Sequence, residues 1–259
     1  MEPLVSVITP AFNAEKTIGK TIESVLKQSY KNVEMIIVDD ISTDKTIEIV
    51  RRYQKKDSRI KLFILDKKGG ASGARNLAIK EAKGKYIAFL DCDDLWKKDK
   101  LKKQINFMEK NNIYFSYTDY SYIDEFDNDM KKYRKCPKKM SYFRMLIGDS
   151  VGCLTAIYNR EEVGLIQIPS LKKRNDYAIW CAVLKKVKVG YKYDDVLSLY
   201  RKSSSSLSSG KKVRLLKYHY QMHRKANNLN VISSLFFTMT NTLNYFVNRY
   251  IRDRKLKKI

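Results

Sequence analysis

At 259 residues with 44% apolar residues, the chain can bury the core of one large α/β domain, with or without an appendage, which excludes global disorder. Its net charge of +24 predicts attraction to polyanions: nucleic acid, an anionic lipid surface or phosphorylated substrates. The four cysteines (Cys92, Cys136, Cys153, Cys181) lie far apart and form no CxxC pair, so a thiolate metal centre and a disulfide framework are poorly supported and a reducing cytoplasm is the expected compartment.

No signal peptide is expected, since Met1-Glu2-Pro3 runs straight into an apolar strand, and no apolar run reaches transmembrane length. The first half alternates periods. Val5–Thr9, Val33–Val38, Ile60–Leu65 and a run ending at Leu90 predict strands. Lys16–Gln28, Asp44–Gln54 and Ala71–Lys83 predict helices between them. This rhythm argues for a doubly wound, mostly parallel sheet flanked by helices. A helix is expected to start near Leu95 with Asp94 as its cap, and the helical pattern is clear over Leu101–Lys110. Beyond it, Ile113–Tyr122 predicts an aromatic strand, Asp124–Lys139 a surface loop, Tyr142–Ile147 a short helix and Thr155–Asn159 a strand. Asp176–Lys186 predicts a helix, and Gly190–Tyr193 and Val196–Tyr200 predict strands. The Ser-rich 203–209 reads as a linker or a ligand-covering loop. From Lys211 the chain reads as helical, giving an expected division into a catalytic domain over 1–210 and a basic amphipathic extension over 211–259.

Four stretches fall at the carboxyl ends of predicted strands, where open α/β sheets bind ligands. Pro10-Ala11-Phe12-Asn13 can wall a flat ligand, or simply turn the chain with Asn13 capping the next helix. Asp39-Asp40 can accept a hydrogen bond from an imide or a ribose hydroxyl, or cap a helix in competition with Ser42 and Asp44. In Gly69-Gly70-Ala71-Ser72-Gly73-Ala74-Arg75-Asn76, glycines permit close backbone approach and Arg75 offers a planar fork of donors. The spacing is neither a P-loop nor GxGxxG, so ATP or NAD binding is not expected. Asp91-Cys92-Asp93-Asp94 sets three carboxylates in four residues, which repel unless a hard divalent ion or donors compensate.

In this order and spacing the four stretches resemble the bacterial family 2 glycosyltransferases. The resemblance continues through Asn175-Asp176-Tyr177-Ala178-Ile179-Trp180 and Tyr200-Arg201 followed by Ser206-Leu207-Ser208-Ser209, covering roughly residues 4–210. It implies a GT-A nucleotide-sugar fold, and inverting transfer of a hexose or N-acetylhexosamine from a UDP-sugar to a hydroxyl of a saccharide or lipid-linked saccharide in bacterial surface polysaccharide or lipopolysaccharide synthesis. Phe12 with the backbone of Pro10 and Ala11 would line the base pocket beside Asn13, and Asp40 and Arg75 would hydrogen-bond the base. Asp91 would lie near ribose and metal, with Cys92 between it and Asp93, the ligand of Mn²⁺ or Mg²⁺. Asp176 would be the general base, and Arg201 would approach the diphosphate. Trp96, Asn175 and Trp180 are the acceptor-side candidates. The sequence departs from the family in having Asn175-Asp176 where Glu-Asp is common, which removes a negative charge beside the base.

Two other functions compete. A sugar-nucleotide nucleotidyltransferase would carry a Gly-rich, basic signature behind the first strand, which Pro10-Ala11-Phe12-Asn13 is not. A nucleic-acid-binding protein would use the charge but leaves the acidic stretch and Asp176 without a role, and no nucleic-acid motif is present. His219 and His223 have the i, i+4 spacing of metal ligands or of packing residues, and Tyr114–Tyr122 can line an acceptor site or a sheet face. Ile232, Leu235, Phe236, Met239, Leu243, Phe246, Val247 and Tyr250 form one helical apolar stripe, followed by Arg249, Arg252, Arg254, Lys255, Lys257 and Lys258. The stripe can pack on the catalytic domain, pair with a second copy, or contact an anionic membrane on the inner face of the plasma membrane.

Overall fold

The computed structural model describes residues 2–148, 150–202 and 212–256, with side chains described outside 212–215 and 245–256. β1 (Val5–Ala11), β2 (Val33–Asp39) and β4 (Tyr86–Phe89) are buried along their whole length. With a side-chain period of two, each strand feeds two cores. Val5, Val7, Met35, Ile37, Tyr86 and Ala88 pack on one face, and Ile8, Ile36, Val38, Ile87 and Phe89 on the other. That is why these strands are continuous apolar runs instead of alternating ones. β3 (Ile60–Ile64) lies outside β2, and the four strands are parallel.

The first face is covered by α1 (Ile18–Leu26), α2 (Thr46–Lys56) and α4 (Lys100–Lys110), which contribute Ile18, Ile22, Val25, Val50, Leu101 and Ile105. α3 (Gly70–Glu81) and α7 (Asn175–Val187) cover the second through Ala74, Ala78, Ile79, Trp180 and Leu184. Past β4 the sheet becomes mixed. β9 (Ile157–Asn159) is antiparallel to β4 and to β6 (Phe115–Ile123), β6 is parallel to β10 (Val189–Arg201), and β5 (Leu95–Trp96) is antiparallel to β10. Short helices α5 (Tyr142–Ile147) and α6 (Arg160–Val163) are N-capped by the side chains of Ser141 and Asn159.

Three expectations are corrected. No helix starts at Leu95: that segment pairs with β10 as β5, and α4 starts at Lys100. Asp94 is therefore no cap, and its Oδ1 accepts a 2.8 Å hydrogen bond from the backbone N–H of Arg201. The polar segment after β6 is not a bare loop but carries β7 (Asp129–Arg134) on β6 and β8 (Lys139–Ser141) on β10. The side chains of β7 largely face solvent and β8 buries Met140 alone, so the apolar alternation that marks a half-buried strand is missing. The two strand patterns near the end are one strand, β10, with register shifts between Tyr193 and Val196 and between Val196 and Ser198.

α8 (Lys212–Lys225) and α9 (Val231–Leu256) dock on the second face. His219 and His223 are buried, with ring centroids 6.0 and 6.1 Å from that of Tyr177 and His223 5.8 Å from Phe237. They are packing residues: no cluster of three or more His, Cys, Asp or Glu placed to hold a metal occurs among the described residues. α9 presents its polar side to the protein. Ser234, Thr238 and Asn241 are buried, and Asn241 Nδ2 donates to Leu146 O at 2.7 Å and to the Tyr177 hydroxyl at 2.8 Å. Ile232, Leu235, Phe236, Met239 and Leu243 are exposed, which removes packing on the domain as the role of the described part of the stripe. The side chains of Phe246, Val247 and Tyr250, and the Ser-rich 203–209, lie outside the described residues.

Candidate active site

The candidate site residues come together where β1, β2 and β4 end, beside α3 and the first turn of α7. Pro10 and Ala11 are the last residues of β1 and are buried, paired in register with Val38 and Asp39. Phe12, the next residue, is 45% exposed, and Lys68 Nζ stands 4.6 Å from its ring centroid. Asn13 does not cap a helix, because α1 starts at Ile18. Its backbone adopts φ 48°, its Oδ1 accepts from Thr43 N at 2.9 Å and its own N–H donates to Ser42 Oγ at 2.9 Å. The turns after β1 and β2 are thereby fastened to each other.

Asp40 caps α3. Its carboxylate accepts from Gly69 N at 2.7 Å and from Gly70 N at 3.1 Å, placing negative charge at a helix N-terminus. Gly70 sits at φ +62°, a conformation that a side chain would strain, so glycine is required for both N–H groups to meet one carboxylate.

Arg75 overturns its expected role. The fork predicted to meet a base is 5% exposed, with Nη1 donating to Asn175 Oδ1, Nη2 to Asp91 Oδ1, and Cys153 Sγ 3.4 Å from Nη2. Burial works against the guanidinium charge, yet Asp91, Cys153 and Asp176 together hold it above its ordinary range. Arg75 is thus a strut joining the acidic turn to the start of α7. Asn175 explains itself here: as a neutral acceptor it takes one arm of the arginine, leaving Asp176 in the first turn of α7, half-buried at the rim.

The acidic turn is fixed from three sides. Thr21 Oγ1 lies 3.0 Å from the carbonyl oxygens of Cys92 and Asp94, Asp94 N donates to Asp91 O at 3.1 Å, and Arg201 Nε donates to Asp93 O at 2.7 Å. Burial, with Asp91 beside it, pushes the Asp93 carboxyl up to about 6, and burial pushes Asp94 well above the carboxylate range. Cys92 stays a thiol, raised by burial and by Asp93 and Asp91. Asp91 has Arg75 and Asp94 has the Arg201 N–H, whereas Asp93 keeps its charge at an electrostatic cost.

Arg201, at the end of β10, is 3% exposed, pairs with Asp127 and donates from Nη1 to Asp124 O at 3.2 Å, and among the described residues its Nη2 has no hydrogen-bond partner. Asp127 also pairs with Lys20 of α1. Thr21, Cys153, Asp127 and Lys68 were not legible as site residues, because their partners lie tens of residues away and no local pattern marks them. Trp96 and Trp180 are corrected. At 4% and 0% exposure they have no surface to offer an acceptor. Trp96 Nε1 donates to Leu154 O at 2.7 Å, and Trp180 packs edge-on to Phe89 and stacks on Phe115. Phe115, Tyr117 and Tyr120 of the aromatic strand are likewise core.

Residues 6–163 match the family model described as Glycosyl transferase family 2. The chain is 45% identical over 210 residues, 81% of its length and 83% of the relative's, to TuaG of Bacillus subtilis (strain 168), a glycosyltransferase assigned to teichuronic acid biosynthesis. It is 42% identical over 213 residues, 80% and 81% of the two chains, to WfgD of Escherichia coli, a UDP-Glc:alpha-D-GlcNAc-diphosphoundecaprenol beta-1,3-glucosyltransferase. Its fold matches S. aureus TarS 1-349, solved in complex with UDP-GlcNAc, at a TM-score of 0.69 and 23% identity over 89% of this chain and 69% of that one. A family model spanning more than half of the chain, and relatives aligned along most of it, show that the chain belongs to glycosyl transferase family 2, built on the GT-A fold.

Proposed function

We propose that this enzyme moves a hexose or N-acetylhexosamine, with inversion, from a UDP-sugar to a hydroxyl of a lipid-diphosphate-linked saccharide during bacterial surface polysaccharide synthesis. The observation that carries the reading is the Arg75 strut: it holds the acidic turn and the N-terminus of α7 at a fixed separation, so a donor anchored by Asp93 faces Asp176. Relatives whose names specify a UDP-glucose donor and a diphosphoundecaprenol-linked acceptor support the substrate classes.

The half-exposed Phe12 ring and the ends of β1 offer a wall for the base. Arg201, whose Nε donates to Asp93 O, would add positive charge behind the acidic turn where a diphosphate would sit. Asp176 would accept the proton of the attacking hydroxyl, and attack opposite the leaving group gives inversion. A divalent ion fits the residues present. Asp93 is a half-buried carboxylate raised by desolvation and a like-charged neighbour, and Mn²⁺ or Mg²⁺ favours such oxygens when substrate phosphates complete the shell. Asp93 would hold it, with Asp91 in support. Bound there, it would supply Lewis-acid stabilisation of the departing diphosphate.

Incubation of the enzyme with UDP-glucose, UDP-GlcNAc or GDP-mannose and a GlcNAc-diphosphate-lipid acceptor, read by mass spectrometry, tests the proposal. A disaccharide product from a UDP-sugar is expected. Transfer from GDP-mannose alone, or no transfer from any UDP-sugar to this acceptor, would overturn it.

A further inference from the structure

α9 is amphipathic, and it turns its polar side to its own domain and its apolar side outward. Its small polar side chains are buried and hydrogen-bonded, while Ile232, Leu235, Phe236, Met239 and Leu243 are each between 50 and 79% exposed along one side. Phe143 of α5, 60% exposed, extends the patch through its contact with Phe237, ring centroids 5.9 Å apart. A contiguous apolar surface of this kind is unusual on a monomer with nothing bound to it.

The surrounding charge decides what covers it. Residues 231–248 contain no Asp, Glu, Lys or Arg, and α5, α8 and α9 together contain one acid, Asp253. Exposed Arg144 adjoins Phe143, and exposed Arg224 and Lys225 end α8 immediately before α9. Residues 211–259 hold twelve Lys or Arg against that single acid. An uncharged apolar stripe bordered by cations matches the plane of an anionic bilayer, where side chains enter the acyl boundary and bases meet headgroups. No helix among the described residues is long and apolar enough to cross a membrane, so such a helix would lie along the surface.

We propose that the outward stripe of α9 seats this protein on an anionic lipid bilayer. Because Asn241 on the opposite side of α9 donates to Tyr177, the neighbour of Asp176, docking would orient the site relative to the lipid surface. The proposal needs neither the donor nor the acceptor reading given above.

The test uses the full chain without substrates, sedimented with vesicles of phosphatidylcholine alone or mixed with phosphatidylglycerol. Wild type is expected to pellet with the mixed vesicles and far less with phosphatidylcholine. The variant carrying Ile232→Ser, Leu235→Ser, Met239→Ser and Leu243→Ser is expected to need at least about tenfold more lipid for half-binding, since several exposed apolar side chains are removed from the contact. Its melting temperature should match wild type, because these side chains touch solvent. As an independent readout, Phe236→Trp should shift its emission to the blue on mixed vesicles. Equal binding by wild type and the fourfold variant, equal binding to both vesicle types, or no shift from Phe236→Trp would overturn the proposal. So would a vesicle-indifferent dimer in light scattering that the variant dissociates, which would make the stripe an interface between copies.

Discussion

Arg75 holds Asp91 and Asn175 on its two Nη nitrogens, so Arg75→Ala leaves a carboxylate and an amide facing a void. Asp91 is partly solvated, which moderates the loss to about 3 kcal/mol. For a domain of this size that is a fall of roughly 6–12 °C in melting temperature, measurable by calorimetry. Arg75→Lys keeps the charge but cannot bridge both partners, and should fall between. An unchanged melting temperature for Arg75→Ala would show that the strut carries no stability. For chemistry, Asp93→Ala should remove the Mn²⁺-dependent part of the thermal shift produced by UDP. Asp176→Asn should keep that shift while transfer falls by about 10²–10⁴-fold; near-full transfer in Asp176→Asn would reject it as the base. Asp93 was legible because a strand's carboxyl end is a local feature, and Asp176 because Asn175-Asp176 stands where the family resemblance expects the catalytic pair. What Arg75 touches was not: Asp91 and Asn175 are 16 and 100 residues away, and a guanidinium that could meet a ligand looks the same in sequence as one that braces two elements.

Among the elements, α8 carries a pH dependence. Burial, together with Arg174 and His223, lowers His219 to about 3, and burial lowers His223 to about 4, both below the ordinary 6.5. The unfolded chain therefore takes up protons first as pH falls, so stability is lost progressively below pH 6.5, by about 2 kcal/mol per histidine at pH 5. Among the described residues neither ring nitrogen of His223 has a hydrogen-bond partner, so His223→Phe should cost little at pH 7 and roughly halve the histidine-dependent loss of stability between pH 6.5 and 5, His219 keeping its share. A slope identical to wild type would count against this origin. The i, i+4 spacing was plain in sequence, but choosing between ligand and packing residue needed the neighbours Tyr177 and Phe237. β7 and β8 escaped for a related reason: with Met140 their one buried side chain, they hold their place largely through backbone pairing to β6 and β10, and backbone pairing leaves little composition signal.

Taken whole, the molecule is one mixed sheet between two helical layers, with its basic extension fastened to the catalytic half. Removing 231–259 takes away the Asn241 bonds to Leu146 and Tyr177 and the Phe237 contact with His223. That truncation should therefore lower the melting temperature as well as any lipid binding, whereas the surface variants of α9 should not. The net charge of +24 should also give weak duplex-DNA binding that falls steeply with salt and ignores sequence; a salt-resistant, sequence-selective complex would restore nucleic acid as a partner. Sequence alone determined the alternation of strand and helix, the strand-end placement of Asp91 and Asp93, and the period of the α9 stripe. Each of these depends on spacing along the chain, and spacing survives in a string of residues. Tertiary structure decided that Arg75 faces inward, that Trp96 and Trp180 are core, that Asp94 serves Arg201, and that α9 shows its apolar side to the outside. Those are questions of direction, set by which neighbour satisfies each group, and the neighbours are brought together only by the fold.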